Sequence, residues 1–578
     1  MNITTIKNYE LWLTDAYFDE DTRKELKDLQ GNEKEIEDRF YKDLEFGTGG
    51  IRGIVGAGTN RMNKYTVGKA TQGLANYIHK YGEEAKERGV VIAYDCRHMS
   101  REFCQEAALV LAANNIRAYI FDDLRSTPEL SFAVRKLNTI AGIVITASHN
   151  PAEYNGYKVY WEDGAQITSE HALGIIEEIK KIYDIKDIYR LNKDIAISEG
   201  LLIIIGKEVD DEFIDAVKKQ SLRPEVAKKI GDTFKIVYTP LHGTGSKPVK
   251  RVLKEMGFTN VIAVAEQDKP DPNFSTVKYP NPEERESFTH AINIAKKESA
   301  QLIIGTDPDC DRVGAVVKNN SGEFVVLTGN QTGALLVEYI LEALKEKGKI
   351  PNNGTIIKTI VTSEMGAKIA NEYGVKVFNT LTGFKYIGEK IKQFEESNQY
   401  EYILGYEESY GYLIGKHARD KDAVVSSMII CEMAAYYHSK GMTLYEALQL
   451  LYKKYGYYRE DLKSITLEGK EGIEKIQNIL QALRNEGVEY LGSYRVVATE
   501  DYLLQRRLNN KNKTEEVLNL PKSNVIKLIL ENGNWVALRP SGTEPKLKIY
   551  VGVEANNIKE ADKLLKDLMN EMEFKVNT

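Results

Sequence analysis

The run "AGIVITASHNP", residues 141–151, sets an apolar stretch directly against a serine, a histidine and an Asn-Pro pair. Its first six residues, AGIVIT, read as a strand, and the polar residues follow at the strand's end. Ser148 is open there to three readings: nucleophile, cap, or plain turn chemistry. The nucleophile elbow G-x-S-x-G of the α/β-hydrolases is absent, because Thr146 and Asn150 stand where its glycines belong.

Working outward, runs rich in Val, Ile and Tyr recur along the chain. VVIAYD (90–95), AYIFDD (118–123), FKIVYT (234–239), VIAVA (261–265), LIIGTD (302–307), TIIKTIVT (355–362) and EYILGYE (401–407) read as further strands. Helical patterns such as SREFCQEAALVLAANN and ALLVEYILEALKEKG lie between them. Strands alternating with helices imply βαβ units with parallel or mixed sheets. In open α/β sheets ligands sit beyond the carboxyl ends of strands. The unusual residues fall at such ends: TASHNP, TPLHGTG, DPDCDR and YEESYG each follow a strand. The C-terminal part differs, since SYRVVATED, VIKLILENGNWVALRPSGTEPKLKIYVGVEA and a final amphipathic helix suggest an α+β domain with antiparallel strands.

The chain has 578 residues, enough for three to five domains at about 100–200 residues each. A net charge of -7 gives no sign of nucleic-acid binding. Four cysteines without metal spacing, no apolar signal core in MNITTIKNYELWLTD and no apolar run of about 20 residues point to a cytoplasmic protein off the membrane.

Four constellations carry chemistry. TDPDCDR places Asp307, Asp309 and Asp311 two residues apart on a loop that Pro308 keeps out of the helix. Three carboxylates drawn together repel unless a cation joins them, and hard oxygen ligands suit Mg²⁺ or Ca²⁺. An EF-hand is excluded by Arg312 and Lys318 at its sixth and twelfth positions, so Mg²⁺ fits better, with Arg312 placed to hold an anion. LRPSGTEPKLKIY (538–550) gathers Arg539, Ser541, Gly542 and Thr543, a guanidinium, two hydroxyls and a loosened backbone suited to phosphate, with Lys546 adding charge. GYEESYG offers Glu407, Glu408 and Ser409 to sugar hydroxyls; a solvated acidic turn is the plain alternative. Beyond Ser148, Asn155-Gly156 reads as a hairpin turn that folds Lys158 back toward the serine. FGTGGIRG (46–53) lacks the last glycine of a dinucleotide loop, and GTGSK is no phosphate-binding Walker loop.

Taken together and in this order, the four resemble the α-D-phosphohexomutase family, the phosphoglucomutases and phosphomannomutases, over nearly the whole chain. LEFGTGGIRG and the length are most similar to the long phosphoglucomutase branch, which includes phosphopentomutases. The resemblance implies an α/β protein of four domains around a central cleft: three α/β domains with mixed sheets (1–205, 206–325, 326–455) and a C-terminal α+β domain (456–578). It implies that Ser148 carries a phosphoryl group and, with Asp307, Asp309 and Asp311, holds Mg²⁺. Lys158, Arg312, His149 and Arg52 line that pocket; Glu407, Ser409 and Lys385 serve the substrate; and Arg539, Ser541, Gly542 and Thr543 anchor the phosphate that does not react. Tyr406 stands where several members have a small residue. The implied reaction converts glucose 1-phosphate to glucose 6-phosphate with glucose 1,6-bisphosphate as intermediate and activator. Mannose and pentose phosphates are the alternatives. Sugar phosphates are then the partners of a monomer or homodimer. An aspartate-nucleophile phosphatase is disfavoured because Asp311 replaces the Thr or Val that follows its DxD, and a non-catalytic relative by the intact serine, aspartates and Arg539.

Overall fold

The computed structural model describes residues 1–47, 49–467, 469–540 and 546–577. The chain resolves into two compact units. The first comprises Met1–Thr328, Phe384–Gly405 and Ser409–Leu444; the second comprises Gly329–Gly383, Tyr406–Glu408 and Tyr445–Thr578.

The first unit opens with three short helices, Ile3–Thr14, Glu20–Asp28 and Glu33–Phe40, each started by an Asn or Asp side chain that accepts from a first-turn amide. A six-stranded sheet follows. Its strands are Gly50–Ile54 (β1), Val90–Tyr94 (β2), Ala118–Phe121 (β3), Ala141–Ile145 (β4), Tyr154–Trp161 (β5) and Leu202–Ile205 (β6), in the order β1-β5-β4-β2-β3-β6. β4, β2, β3 and β6 run parallel; β5 pairs antiparallel with β4, and β1 pairs antiparallel with β5. β2 and β4 are buried at every position, which is why their sequences show no polar alternation. Helices Lys64–His79, Ser100–Ala113 and Ser169–Lys180 close one apolar core, and Thr127–Lys136 closes another.

A second sheet of this unit contains Ile236–Thr239 (β7), Val261–Ala263 (β8), Leu302–Thr306 (β9), Val313–Lys318 (β10) and Phe324–Val326 (β11), ordered β11-β10-β9-β7-β8. β8, β7 and β9 are parallel, whereas β10 turns back antiparallel on β9. The reversal between β9 and β10 is the DPDCDR loop.

In the second unit Gly354–Thr359 (β12) pairs in parallel with Lys376–Thr380 (β13). Two strands that belong to the first unit except for Tyr406, Glu401–Tyr406 (β14) and Tyr412–Ile414 (β15), flank the YEESYG loop. The C-terminal sheet is antiparallel throughout, as its alternation suggests. Its strands are Tyr457–Thr466 (β16), Tyr490–Leu491 (β17), Tyr494–Asp501 (β18), Arg506–Asn509 (β19), Glu515–Val517 (β20), Ile526–Leu530 (β21), Trp535–Pro540 (β22) and Lys546–Ala555 (β23). Helices Gly469–Glu486 and Ile558–Asn577 cover one face through Ile476, Leu480, Leu568 and Met572. Among the described residues no helix is long and apolar enough to cross a membrane.

One local expectation is corrected. Asn155-Gly156 is not a turn but lies inside β5, and residues 146–153 make the reversal from β4. A Cβ at Gly156 would stand 2.5 Å from Thr146 O and 3.0 Å from Ile51 O, so this glycine answers a close approach of two neighbouring strands. Asn155 spends its side chain on His98 O and Ser100 Oγ, both at 2.9 Å. Lys158 is nevertheless turned inward, by strand pairing opposite Val144.

Candidate active site

Ser148 follows β4 in a left-handed backbone conformation (φ 52°), uncommon for a residue with a Cβ. Its N–H donates to Thr146 Oγ1 at 2.8 Å, and Thr146 Oγ1 donates to Asp95 Oδ2 at 2.6 Å. Thus fixed, Ser148 Oγ donates to Asp307 Oδ2 at 2.7 Å and stands 3.2 Å from His149 Nδ1. Two loops 159 residues apart in sequence meet at one hydroxyl.

The aspartate loop is built to hold charge. Asp307 Oδ1 accepts from the N–H groups of Asp311 and Arg312 at 3.1 and 3.0 Å. Asp309 Oδ2 accepts from Lys158 Nζ and Thr127 Oγ1, both at 2.8 Å. Lys421 Nζ lies 3.0 Å from Asp311 Oδ2. Burial, together with the negative charges of Asp309 and Asp311, pushes the Asp307 carboxyl well above the usual carboxylate range. Burial works the same way on Asp309, but the Lys158 ammonium outweighs it and holds that carboxyl low.

One oxygen of each aspartate lies within 4.8 Å of the other two, and Asp309 Oδ1 and Asp311 Oδ1 are buried without a hydrogen-bond partner. Buried carboxylate oxygens left without a donor, in a cluster this close, are what a small hard cation satisfies, so the residues fit Mg²⁺.

Around this centre, His149 is half-buried, and burial with Arg312 and Arg52 nearby keeps its imidazole well below its usual pKa, hence neutral. Arg52 on β1 is exposed and donates to Asn150 Oδ1 at 3.1 Å. The Arg312 guanidinium is paired with Glu283. TPLHGTG supports the aspartate loop from below: Thr244 donates to Pro308 O through both N–H (2.8 Å) and Oγ1 (3.0 Å).

The structure therefore brings Ser148, His149, Lys158, Arg52, Arg312 and the three aspartates together in the first unit. Ser409 is half-buried on the loop between β14 and β15, and Lys385 packs over the Tyr386 ring at 5.3 Å. The remaining candidates lie in the second unit. Glu407 Oε1 accepts from Gly383 N at 2.8 Å, and Glu408 is held by the Thr359 and Thr362 hydroxyls at 3.0 and 3.2 Å. Arg539 hydrogen-bonds the Tyr550 hydroxyl; burial, then Glu408, raises that phenol's pKa. Tyr406 points into the core, seated against Gly333 and Gly366, where a Cβ would fall 2.4 and 2.0 Å from its atoms. Ser541, Gly542 and Thr543 lie outside the described residues.

Sequence reasoning did not single out Thr127, Lys421 or the Asp95–Arg97 pair. Each had a faint signal. Thr127 lies in the helix start STPEL, Lys421 in the charge-alternating RDKD before a helix, and Asp95 and Arg97 flank the end of VVIAYD.

Four family models match this chain: phosphoglucomutase/phosphomannomutase alpha/beta/alpha domain I over residues 43–186, domain II over 211–322, domain III over 328–455, and the C-terminal domain over 503–571. A phosphoglucomutase of Staphylococcus haemolyticus (strain JCSC1435) is 39% identical over 529 residues, 91% of this chain and 93% of its own. One from Staphylococcus aureus (strain MSSA476) is 39% identical over 556 residues, 95% and 96% of the two chains. Among solved structures, the open form of pp63/parafusin (phosphoglucomutase) from Paramecium matches with a TM-score of 0.69 at 18% identity, covering 92% of this chain and 96% of that one. A phosphoglucomutase/phosphomannomutase family protein of Burkholderia thailandensis matches at 0.64 and 17%, covering 92% and 97%. At these identities the two structures speak for the fold alone.

Proposed function

The chain belongs to the phosphoglucomutase/phosphomannomutase family, and we propose that it interconverts glucose 1-phosphate and glucose 6-phosphate through a phosphoserine at position 148 and glucose 1,6-bisphosphate. The observation that carries this reading is the Ser148 hydroxyl, hydrogen-bonded at 2.7 Å to an aspartate of a buried three-carboxylate cluster. A serine so placed can hold a phosphoryl group beside a divalent cation. Hydrolase chemistry would instead need an activating base held by a third residue.

Phosphoryl transfer asks for alignment and charge neutralisation. Mg²⁺ bound by Asp307, Asp309 and Asp311 would supply positive charge to the transferring oxygens. Lys158, Arg52 and Arg312 add fixed cations, with Arg312 exchanging Glu283 for the phosphoryl oxygens. A sugar hydroxyl attacks the phosphorus, the P–Oγ bond breaks, and the hydroxyl proton passes to a base. His149, kept neutral, stands with Nδ1 3.2 Å from Ser148 Oγ, beside the leaving oxygen, and His149, Lys158 and Lys385 are the candidates for the base. The bisphosphate so formed returns its other phosphoryl group to Ser148. We assign recognition of sugar hydroxyls to Glu407, Ser409 and Lys385, and of the phosphate that does not react to Arg539 with Ser541, Gly542 and Thr543.

The test is ³¹P NMR of the protein with Mg²⁺ and glucose 1-phosphate, with and without trace glucose 1,6-bisphosphate. Glucose 6-phosphate forms, faster with the bisphosphate, and Ser148→Ala is silent. Release of inorganic phosphate, or no change, overturns the reading. Mannose 1-phosphate and ribose 1-phosphate in the same assay settle the sugar.

A further inference from the structure

Beneath the Ser148 loop lies a buried guanidinium that the mechanism above does not use. Arg97 and Asp95 have no exposed side-chain surface. Arg97 Nη2 donates to Ser148 O at 2.6 Å and to Asn150 O; Nη1 donates to Pro151 O at 2.7 Å and to Tyr154 O at 2.9 Å. The guanidinium also stacks on the Phe274 ring at 4.8 Å. Asp95 completes the clamp: it accepts from the Arg97 backbone N–H at 2.9 Å, Ser100 Oγ at 2.8 Å and the Thr146 hydroxyl at 2.6 Å, and Thr146 in turn holds Ser148 N–H.

Four carbonyls of one seven-residue stretch turned onto one planar cation define a rigid loop. They include the carbonyl of Ser148 itself, whose left-handed backbone needs support from its surroundings.

We infer that Arg97 is a positioning residue that sets how long Ser148 keeps its phosphoryl group, by fixing the turn that aims Oγ at Asp307. The inference rests on the phosphoserine reading above. When the clamp loosens, the loaded serine meets water: a water oxygen attacks phosphorus, the P–Oγ bond breaks, and inorganic phosphate leaves as Oγ regains a proton. The enzyme then depends on added bisphosphate for reloading.

The experiment compares wild type with Arg97→Lys, which keeps the charge but loses the fork. Each protein is loaded with glucose 1,6-bisphosphate and Mg²⁺ and freed of small molecules, and its intact mass is followed in time. Arg97→Lys loses the phosphoryl mass about tenfold faster or more, and needs correspondingly more bisphosphate for half-maximal activity. Its kcat falls while KM for the hexose phosphate stays, and guanidinium ion restores part of the lifetime in Arg97→Ala. Wild-type loading and lifetime in Arg97→Lys overturn the inference while leaving the mutase reading intact; failure of wild type to acquire a phosphoryl group overturns both. Should Arg97→Lys not fold, Asp95→Asn, which removes the carboxylate 3.3 Å from Arg97 Nε and weakens its hold on Thr146, decides by the same decay: faster supports the clamp, unchanged sinks it.

Discussion

At the scale of single residues, the site turns on which oxygen of each carboxylate is already engaged. Asp309 Oδ2 is held by Lys158 and Thr127, which leaves Oδ1 as the oxygen available to a cation. Thr127 binds the loop twice, because its N–H also donates to Asp309 O at 2.9 Å. Removing only the hydroxyl, in Thr127→Val, lets the carboxylate rotate about its remaining contact with Lys158. We expect the dissociation constant for Mn²⁺, read by EPR, to rise about tenfold, as for other residues that orient metal ligands, and Thr127→Ser to restore it. Equal Mn²⁺ affinity in the valine variant would show that Lys158 alone holds Asp309. Gly156→Ala tests a different constraint. The new Cβ would meet backbone oxygens of two neighbouring strands, which cannot swing aside, so a loss of about 1–3 kcal/mol is expected in urea unfolding. A variant as stable as wild type would mean that the strands separate freely there.

At the scale of elements, the three N-terminal helices form a cap on the segment that follows β1. Trp12, Phe18, Phe40 and Tyr65 make its aromatic core, with Trp12 stacked on Phe18 at 4.3 Å. Its polar side grips the segment: Glu25 accepts from Ala57 N–H at 3.2 Å, Arg39 donates to Ala57 O at 3.1 Å, and Arg39 O accepts from Asn60 N–H at 2.9 Å. Trp12→Ala should cost about 3–5 kcal/mol within the cap. Because the grip depends on the cap, hydrogen exchange at Ala57 and Asn60 should quicken in parallel. Unchanged exchange at those amides, with the cap loosened, would show that the segment stands unaided. Legibility differs among elements for related reasons. VVIAY and AGIVI announce themselves because strands buried on both faces are continuous apolar runs. GIRGI (β1) and KVFNT (β13) do not, since partial exposure breaks the run with Gly, Arg, Lys and Asn. Asn155-Gly156 misled because its turn chemistry is local, whereas the need for a glycine comes from Thr146 and Ile51, which strand pairing brings against it from either side.

At the scale of the molecule, the sequence names the loops at strand ends but not their partners. Asp307 and Ser148 could each be picked out by residue type, yet their hydrogen bond depends on how two sheets are placed, which no local pattern encodes. Buried charge outside the motifs was illegible for the same reason, and the second unit holds a clear case. Lys527 on β21 is buried, donates to Ile360 O at 2.7 Å and lies over the Trp535 ring at 4.4 Å. Burial, reinforced by the Lys358 ammonium, pushes its pKa down to about 8. An unfolded lysine titrates near 10.4. Below about pH 8 both states carry the proton, and the folded state bears the full cost of the buried charge. Between about pH 8 and 10.4 the unfolded chain binds a proton that the folded chain does not, so this group adds stability as pH rises, about 3 kcal/mol in all. Lys527→Met removes the titration. The stability of wild type relative to the variant, from urea unfolding at about pH 7 and about pH 10, should therefore shift in favour of wild type by an amount of that order. The comparison cancels the tyrosines and cysteines that both proteins share. A difference that stays flat with pH would mean that Lys527 keeps its proton in the fold, stabilised by Glu364 at 3.8 Å more strongly than burial opposes it.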